Sequence, residues 1–285
     1  MYIEINLIKG ANFMAILKDK LWLWGHPEGK YYNEYGNTEL SRMTPLEGAM
    51  YLDCTGLFMV PVGVQINRRQ YNHSFKPMAR VGWDLLRNND GVSLHGAGAN
   101  PDFAKELVEE AREFKNITCG VFDDFIAGGR YKKFPLENIY KTADILHNND
   151  VRRLDMWMVL YTDEFGVDAE KDAEFWPYAE PFDGIILWTM GESNLWKFEE
   201  KYKIFKEKTQ GKKRMLGLYL YNFGDSKKAD PKEVSWQLDR YYELLKNKEI
   251  DGICLHTNTM ADLDHDAYKV ATDWLEKHKN DVLED

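Results

Sequence analysis

Cysteine is scarce: Cys54, Cys119 and Cys254 are the only three in 285 residues. An odd, sparse set makes no disulfide framework and suits a reducing compartment, so a cytoplasmic location is expected. Basic residues are in deficit too, 37 Lys and Arg against 47 Asp and Glu, a net charge of −10. Nucleic acid and anionic membrane surfaces draw their affinity from Lys and Arg, so neither is an expected partner. No apolar run approaches the ~18 residues that a bilayer-spanning helix needs. The N-terminus lacks a charged segment followed by an apolar core, which argues against a secretory signal. No GxSxG, Walker or HExxH motif occurs, and no Ser/Pro-rich linker divides the chain, so residues 1–285 read as one domain.

One local oddity sits at Lys9-Gly10-Ala11, ahead of Met14. Lys-Gly-Ala can be encoded as AAA-GGA-GC, which resembles a ribosome-binding sequence. Residues 1–13 therefore read equally as an upstream extension, with translation starting at Met14, or as an ordinary N-terminal strand. N-terminal sequencing of the native protein separates the two.

What is present is regular. Hydrophobic residues make up 44%, enough to bury a sizeable core. Apolar runs recur at 21–26, 56–63, 91–98, 117–125, 154–165, 182–190, 214–224 and 250–258. Several are nearly continuous, as expected of strands buried on both faces of a parallel sheet. Amphipathic helical stretches lie between them. Asn100-Pro101-Asp102 and Asp230-Pro231 open two of these with an N-cap and a proline in the first turn. The repeat of about 33 residues is the size of a βα unit. Eight such units predict a single-domain (β/α)8 TIM barrel, with any active site at the C-terminal ends of the strands.

Alternation within each strand then sorts the side chains. Leu21, Leu23, Val92, Leu94, Leu216, Leu218, Leu220, Ile253 and Leu255 are expected outside, against the helices. Trp22, Trp24, His26, Ser93, His95, Trp157, Tyr161, Asp163, Trp188, Tyr219, Tyr221, Cys254, His256 and Asn258 are expected inside. On the fourth strand the same rule puts Phe122 and Asp124 inside, with Cys119 and Val121 outside. The parity of Asp123, Glu164 and Glu192 is undecided, because they lie past the strand ends.

The resulting rim is acidic and aromatic. GVFDDF (120–125) ends its strand in two carboxylates, and a buried charge is costly without a partner or a task. One reading is a pair that titrates unequally; the other is a pair capping the next loop or bonding an arginine such as Arg130. YTDEF (161–165) ends the neighbouring strand alike, placing Asp163 or Glu164 near Asp124. Two carboxyls on adjacent strand ends are what glycoside hydrolysis uses. Glu192 in WTMGESN reads as a helix N-terminal carboxylate within reach of substrate. Gly96-Ala97-Gly98 is the one glycine-rich candidate for phosphate, and it reads more simply as a tight turn.

These strand ends resemble glycoside-hydrolase-like (β/α)8 barrels, in which several families carry a DD pair at the fourth strand. GVFDDF, LYTDEF, LWTM, LGLYLYNFGD and IDGICLHTN…DAYKVATDWL are similar to an uncharacterised family of bacterial TIM-barrel proteins over residues 20–280. The resemblance implies the barrel fold. A familiar related clan has glutamates after strands four and seven; here Asp123/Asp124 and Asn222/Asp225 stand there, so that mechanism does not carry over.

The expected function is hydrolysis of a glycosidic bond in a small saccharide or oligosaccharide, without a cofactor. Asp124 is expected as nucleophile or base and Glu164 as general acid. Asp123 would tune the pair, and Asp163 is the substitute acid. Trp24, Tyr161, Trp188 and Tyr221 would stack on sugar, while His26, His95, Glu192, His256 and Asn258 would read hydroxyls. One alternative is a metal-dependent sugar isomerase, epimerase or hydrolase using the rim histidines with Asp124. The other is a non-catalytic sugar-binding barrel.

Overall fold

A computed structural model describes residues 15–29, 35–61, 66–86 and 100–283. Eight parallel strands close into a barrel in chain order. They are β1 (Leu21–Gly25), β2 (Gly56–Met59), β3 (Arg80–Asp84), β4 (Ile117–Phe122), β5 (Asp155–Tyr161), β6 (Gly184–Trp188), β7 (Lys213–Tyr219) and β8 (Gly252–His256). β8 pairs with β1 to complete the ring. Around it run α1 (Pro45–Tyr51), α2 (Arg68–Ser74), α3 (Pro101–Glu113), α4 (Leu136–His147), α5 (Ala169–Ala179), α6 (Phe198–Lys208), α7 (Pro231–Lys246) and α8 (Asp266–His278). The caps form as expected: Asn100 accepts from Asp102 N at 3.0 Å and Asp230 from Lys232 N at 2.9 Å. No helix among the described residues is long and apolar enough to cross a membrane.

Two expectations are corrected. The third barrel position belongs to Arg80–Asp84, which pairs with β2 and β4. It does not belong to 91–98; that run, with Val92, Ser93, Leu94, His95 and the Gly96–Gly98 turn, lies outside the described residues, as do residues 1–13. The true strand, RVGWD, is broken by a glycine and ends in an acid, so its apolar signal is weaker than that of GVSLHGAG. The second correction is to β4. Cys119 and Val121 face the lumen, whereas Phe122 packs outward against Phe125 and Phe182. Both parities of ITCGVF are apolar, so an aliphatic-outside rule could not separate them.

Elsewhere within the strands the alternation holds, but past their ends it lapses: Tyr221, expected inside, lies in the outer layer, and Asp163, expected inside, is exposed. Trp22, Trp24, Trp157, Trp188 and Cys254 fill the lumen, with Tyr161 and Tyr219 packed against them. The leucines of β1, β7 and β8 lie in the outer layer. The register makes room for the large rings. Trp22 pairs with Gly56, Phe58 with Gly82, Trp157 with Gly184 and Trp188 with Gly217. Each ring lies over the glycine of the next strand, where a Cβ would meet it at 2.0–2.6 Å. Trp188 is further pinned by Trp24 and Tyr219, with centroids at 5.6 and 4.8 Å. Gly217→Ala is therefore expected to cost roughly 1–3 kcal/mol by overpacking, read as a lower urea midpoint at unchanged m-value.

Candidate active site

The C-terminal ends of β3, β4 and β5 bring acids together. Asp84 ends β3, buried to 2% exposure, and accepts from Leu86 N at 3.0 Å. Asp123 and Asp124 follow β4. Asp124 sits at φ 49°, a left-handed conformation that Asp tolerates better than most residues and that costs about 1 kcal/mol or more. This sharp turn ends the alternation of the strand.

Asp124 is held from two sides. Tyr161 Oη donates to Oδ1 at 2.7 Å, and Arg130 Nη1 donates to Oδ2 at 2.9 Å. Tyr219 Oη donates in turn to Tyr161 Oη at 3.5 Å, a long contact. Arg130 is thus the partner that the structural reading of the acidic pair anticipated. Burial and the neighbouring Asp124 and Asp84 carboxylates push Asp123 well above the usual carboxylate range. Burial likewise raises the hydroxyls of Tyr161 and Tyr219 well above their ordinary values, so both remain donors.

Glu164 folds back on its own turn. Its Oε2 accepts from Tyr161 N at 2.9 Å, and its N–H donates to Tyr161 O at 3.1 Å. Burial pushes its carboxyl up to about 8, with Asp124 and Asp163 adding to the rise, against the lowering effect of the Tyr161 amide and Arg130. The turn is anchored from outside: Lys201 of α6, 5% exposed, donates to the Phe165 carbonyl at 2.5 Å. Asp163 points to solvent and makes no hydrogen bond among the described residues.

The histidines of β1 and β8 face each other. His26 Nδ1 lies 2.8 Å from the Val60 carbonyl, which can only accept, so that nitrogen carries the proton. His26 Nε2 faces His256 Nε2 across 3.3 Å. His256 Nδ1 is buried with no partner among the described residues. Burial, with His26 alongside, holds the His256 imidazole well below its ordinary value and hence neutral. No three His, Cys, Asp or Glu side chains gather as a metal site among the described residues.

Other expected residues are spent on structure. Asn258 Oδ1 accepts from His26 N at 2.9 Å, while its Nδ2 donates to the carbonyls of His26 and Met43. It clamps β8 to β1 and has no surface for substrate. Asn258→Ala is expected to lose roughly 2–3 kcal/mol, measured as a melting temperature lower by about 5 °C. Glu192 accepts from Asp230 N at 2.7 Å and Asn222 Nδ2 at 2.8 Å, one bond at each oxygen. Tyr221 donates to the Tyr35 carbonyl at 2.7 Å and is buried. Trp24 and Trp188, at 3% and 2% exposure, form the floor of the mouth; they do not stand up as a platform. His95 lies outside the described residues.

The sequence reading missed Asp84, whose signal was an acid at the end of the overlooked β3. It placed Tyr219 inside but gave it no role, and nothing in one sequence shows its hydroxyl reaching Tyr161.

No family model matches the chain, and no curated protein matches it. Solved structures do match in fold. The catalytic domain of a hyperthermophilic chitinase from Pyrococcus furiosus superposes with a TM-score of 0.60 at 13% identity, covering 93% of this chain and 97% of that one. A GH5 variant from Bifidobacterium longum, in complex with Manβ1-4GlcNAc, gives 0.53 at 9% identity, covering 93% and 80%. A xylanase and amylase inhibitor protein gives 0.53 at 11% identity, covering 88% and 98%. The chain thus has the glycoside-hydrolase-like (β/α)8 fold, a fold shared with an inhibitor as well as with enzymes.

Proposed function

We infer that the mouth hydrolyses a glycosidic bond, with Glu164 as general acid and Asp124 as nucleophile or base. The observation that carries this reading is the unequal setting of the two carboxyls. Glu164 keeps its proton to about pH 8 because it is buried, while Asp124 faces a guanidinium and a phenol donor. Two acids set apart by their surroundings are how one site supplies a proton and a base at neutral pH.

In this scheme Glu164 gives its proton to the leaving oxygen as the C1–O bond breaks. Asp124 attacks C1, or takes a proton from the water that does. If Asp124 attacks, the Glu164 carboxylate then deprotonates the water that releases the sugar. Arg130 and Tyr161 orient Asp124. Asp123, kept protonated, adds a hydrogen-bond donor instead of a further charge. The half-buried rings of Tyr161 and Tyr219 offer faces to a sugar. Asp163 is the alternative acid.

One observation favours the second reading, a non-catalytic sugar-binding barrel: the Arg130 ion pair is also how a structural acid would be held. Screening aryl glycosides and short oligosaccharides with the parent, Asp124→Asn and Glu164→Gln tests both. Turnover lost in both variants supports hydrolysis. Sugar binding without turnover in any of the three supports the binding barrel.

A further inference from the structure

A second aromatic feature lies on the same face of the barrel, outside the mouth. After β6 the chain makes a 3-10 turn, Glu192–Lys197, that buries Leu195 and leads into the buried Phe198 of α6. Residues three apart share one side of such a turn, so Trp196 between them is thrown outward, to 77% exposure. Trp236, on the second turn of α7, is 39% exposed, and its ring stands edge-on to Phe198 at 6.0 Å. Between the two tryptophans runs a groove of about 600 Å³, lined also by Ser193, Lys232, Glu233 and Glu192, whose two carboxylate oxygens are already bonded to Asp230 N and Asn222 Nδ2.

The groove is built, not merely exposed. Its wall toward the mouth is the loop after β6 packed on the loop after β7. Their backbones touch, since a Cβ on Gly224 would lie 2.6 Å from Gly191 Cα. Asn222 ties both together through Glu192 and Asp225, at 2.8 and 2.9 Å, and Ser193 Oγ donates to Asp225 at 3.0 Å. Trp188 in the lumen and Trp196 in the groove lie at opposite ends of the one loop that follows β6. Glu192 accordingly serves as a positioning residue for that wall.

We propose that the groove between Trp196 and Trp236 is a saccharide-binding site that takes a neutral glycan chain extending from the mouth. An indole face matches the C–H face of a pyranose, and Lys197 Nζ, 4.9 Å from the Trp196 ring centroid, backs one face of that ring. Lys232 and Glu233 carry opposite charges, and neither forms an ion pair among the described residues. One donor and one acceptor beside a stacking ring suit hydroxyl groups, whereas a charged occupant would call for a wall of one sign. Only the extension from the mouth rests on the hydrolytic reading; the groove binds without turnover.

The test is titration of the full-length protein with chitotetraose, cellotetraose, mannotetraose and xylotetraose, followed by calorimetry. At least one tetrasaccharide is expected to bind, with Kd raised about tenfold or more by Trp196→Ala and by Trp236→Ala. Trp196 packs into no core, so Trp196→Ala keeps the parent melting temperature, and it keeps turnover of a single-ring aryl glycoside. Asp124→Asn leaves the groove's contribution intact: adding Trp196→Ala to it weakens binding by the same factor. The proposal is overturned if none of the four sugars binds, or if binding survives both tryptophan substitutions. It is overturned equally by self-association that Trp196→Ala abolishes in sedimentation, because a second copy would then be the occupant. Trp196-dependent binding in a protein that turns over no glycoside supports the groove and overturns the hydrolytic reading instead.

Discussion

Asp124→Asn is expected to lower turnover of a responsive aryl glycoside by about a thousandfold or more while the barrel stays folded. Asparagine is the replacement of choice because it, too, tolerates the left-handed backbone at this position. Its amide keeps an oxygen for the Tyr161 hydroxyl or the Arg130 guanidinium, but it can neither attack C1 nor accept a proton. The lost ion pair is partly exposed, 26% on Arg130 and 23% on Asp124, so its removal costs only about 1 kcal/mol. Relief of repulsion on Asp123 offsets some of that. Arg130→Gln discriminates further. If Asp124 is catalytic, this variant misorients it and lowers kcat; if Asp124 is purely structural, it lowers the melting temperature and leaves activity per folded molecule unchanged. The latter outcome, seen in both variants, would sink the assignment of Asp124.

Glu164→Gln is expected to do two things at once. Turnover falls by about a hundred- to ten-thousandfold with a poor leaving group, because no proton reaches the departing oxygen. In the parent, activity should decline as pH rises through about 8, where Glu164 loses its proton. Stability moves the opposite way to that of an ordinary salt-bridged acid. The folded protein holds this proton to about pH 8, whereas the unfolded chain releases it near the ordinary 4.5. The contribution of Glu164 to stability is therefore full below pH 4.5 and is lost as pH climbs to about 8. The loss amounts to a few kcal/mol, about 1.4 per pKa unit, in the alkaline limit. Glu164→Gln has no such proton to lose, and its amide oxygen still accepts from Tyr161 N. Melting curves of parent and variant should coincide near pH 4 and diverge by pH 9, with the variant the more stable. Parallel curves across the whole range would mean that Glu164 ionises normally and cannot be the acid at neutral pH.

The limits of the sequence reading are physical. Alternation sorts a strand when one face is aliphatic and the other is not, as in Leu216, Leu218 and Tyr219. It fails in β4, where Cys119, Val121 and Phe122 all read as apolar and only the barrel decides which set meets the lumen. It also misled on β3. A five-residue strand carrying Gly82 and Asp84 looks less strand-like than GVSLHGAG, yet the glycine is what lets Phe58 lie across it. The pairing of lumen rings with glycines one strand on is a property of register, and register is set by closure of the ring.

What the chain by itself determined is the architecture: near-continuous apolar strands at a βα spacing, helix caps at Asn100 and Asp230, and acids at the ends of β4 and β5. These are local signals, carried by propensity, periodicity and capping, and they need no knowledge of distant contacts. What only the tertiary structure decided is the state and availability of each rim residue. Asn258, Glu192 and Tyr221 carry the same donors and acceptors as binding residues, but backbone groups and side chains far along the chain already use them. Trp24 and Trp188 became a floor because four rings share one lumen with Phe58. Glu164 holds its proton and Asp124 faces Arg130 because burial and a guanidinium act over a few ångströms of space, whatever the distance along the sequence.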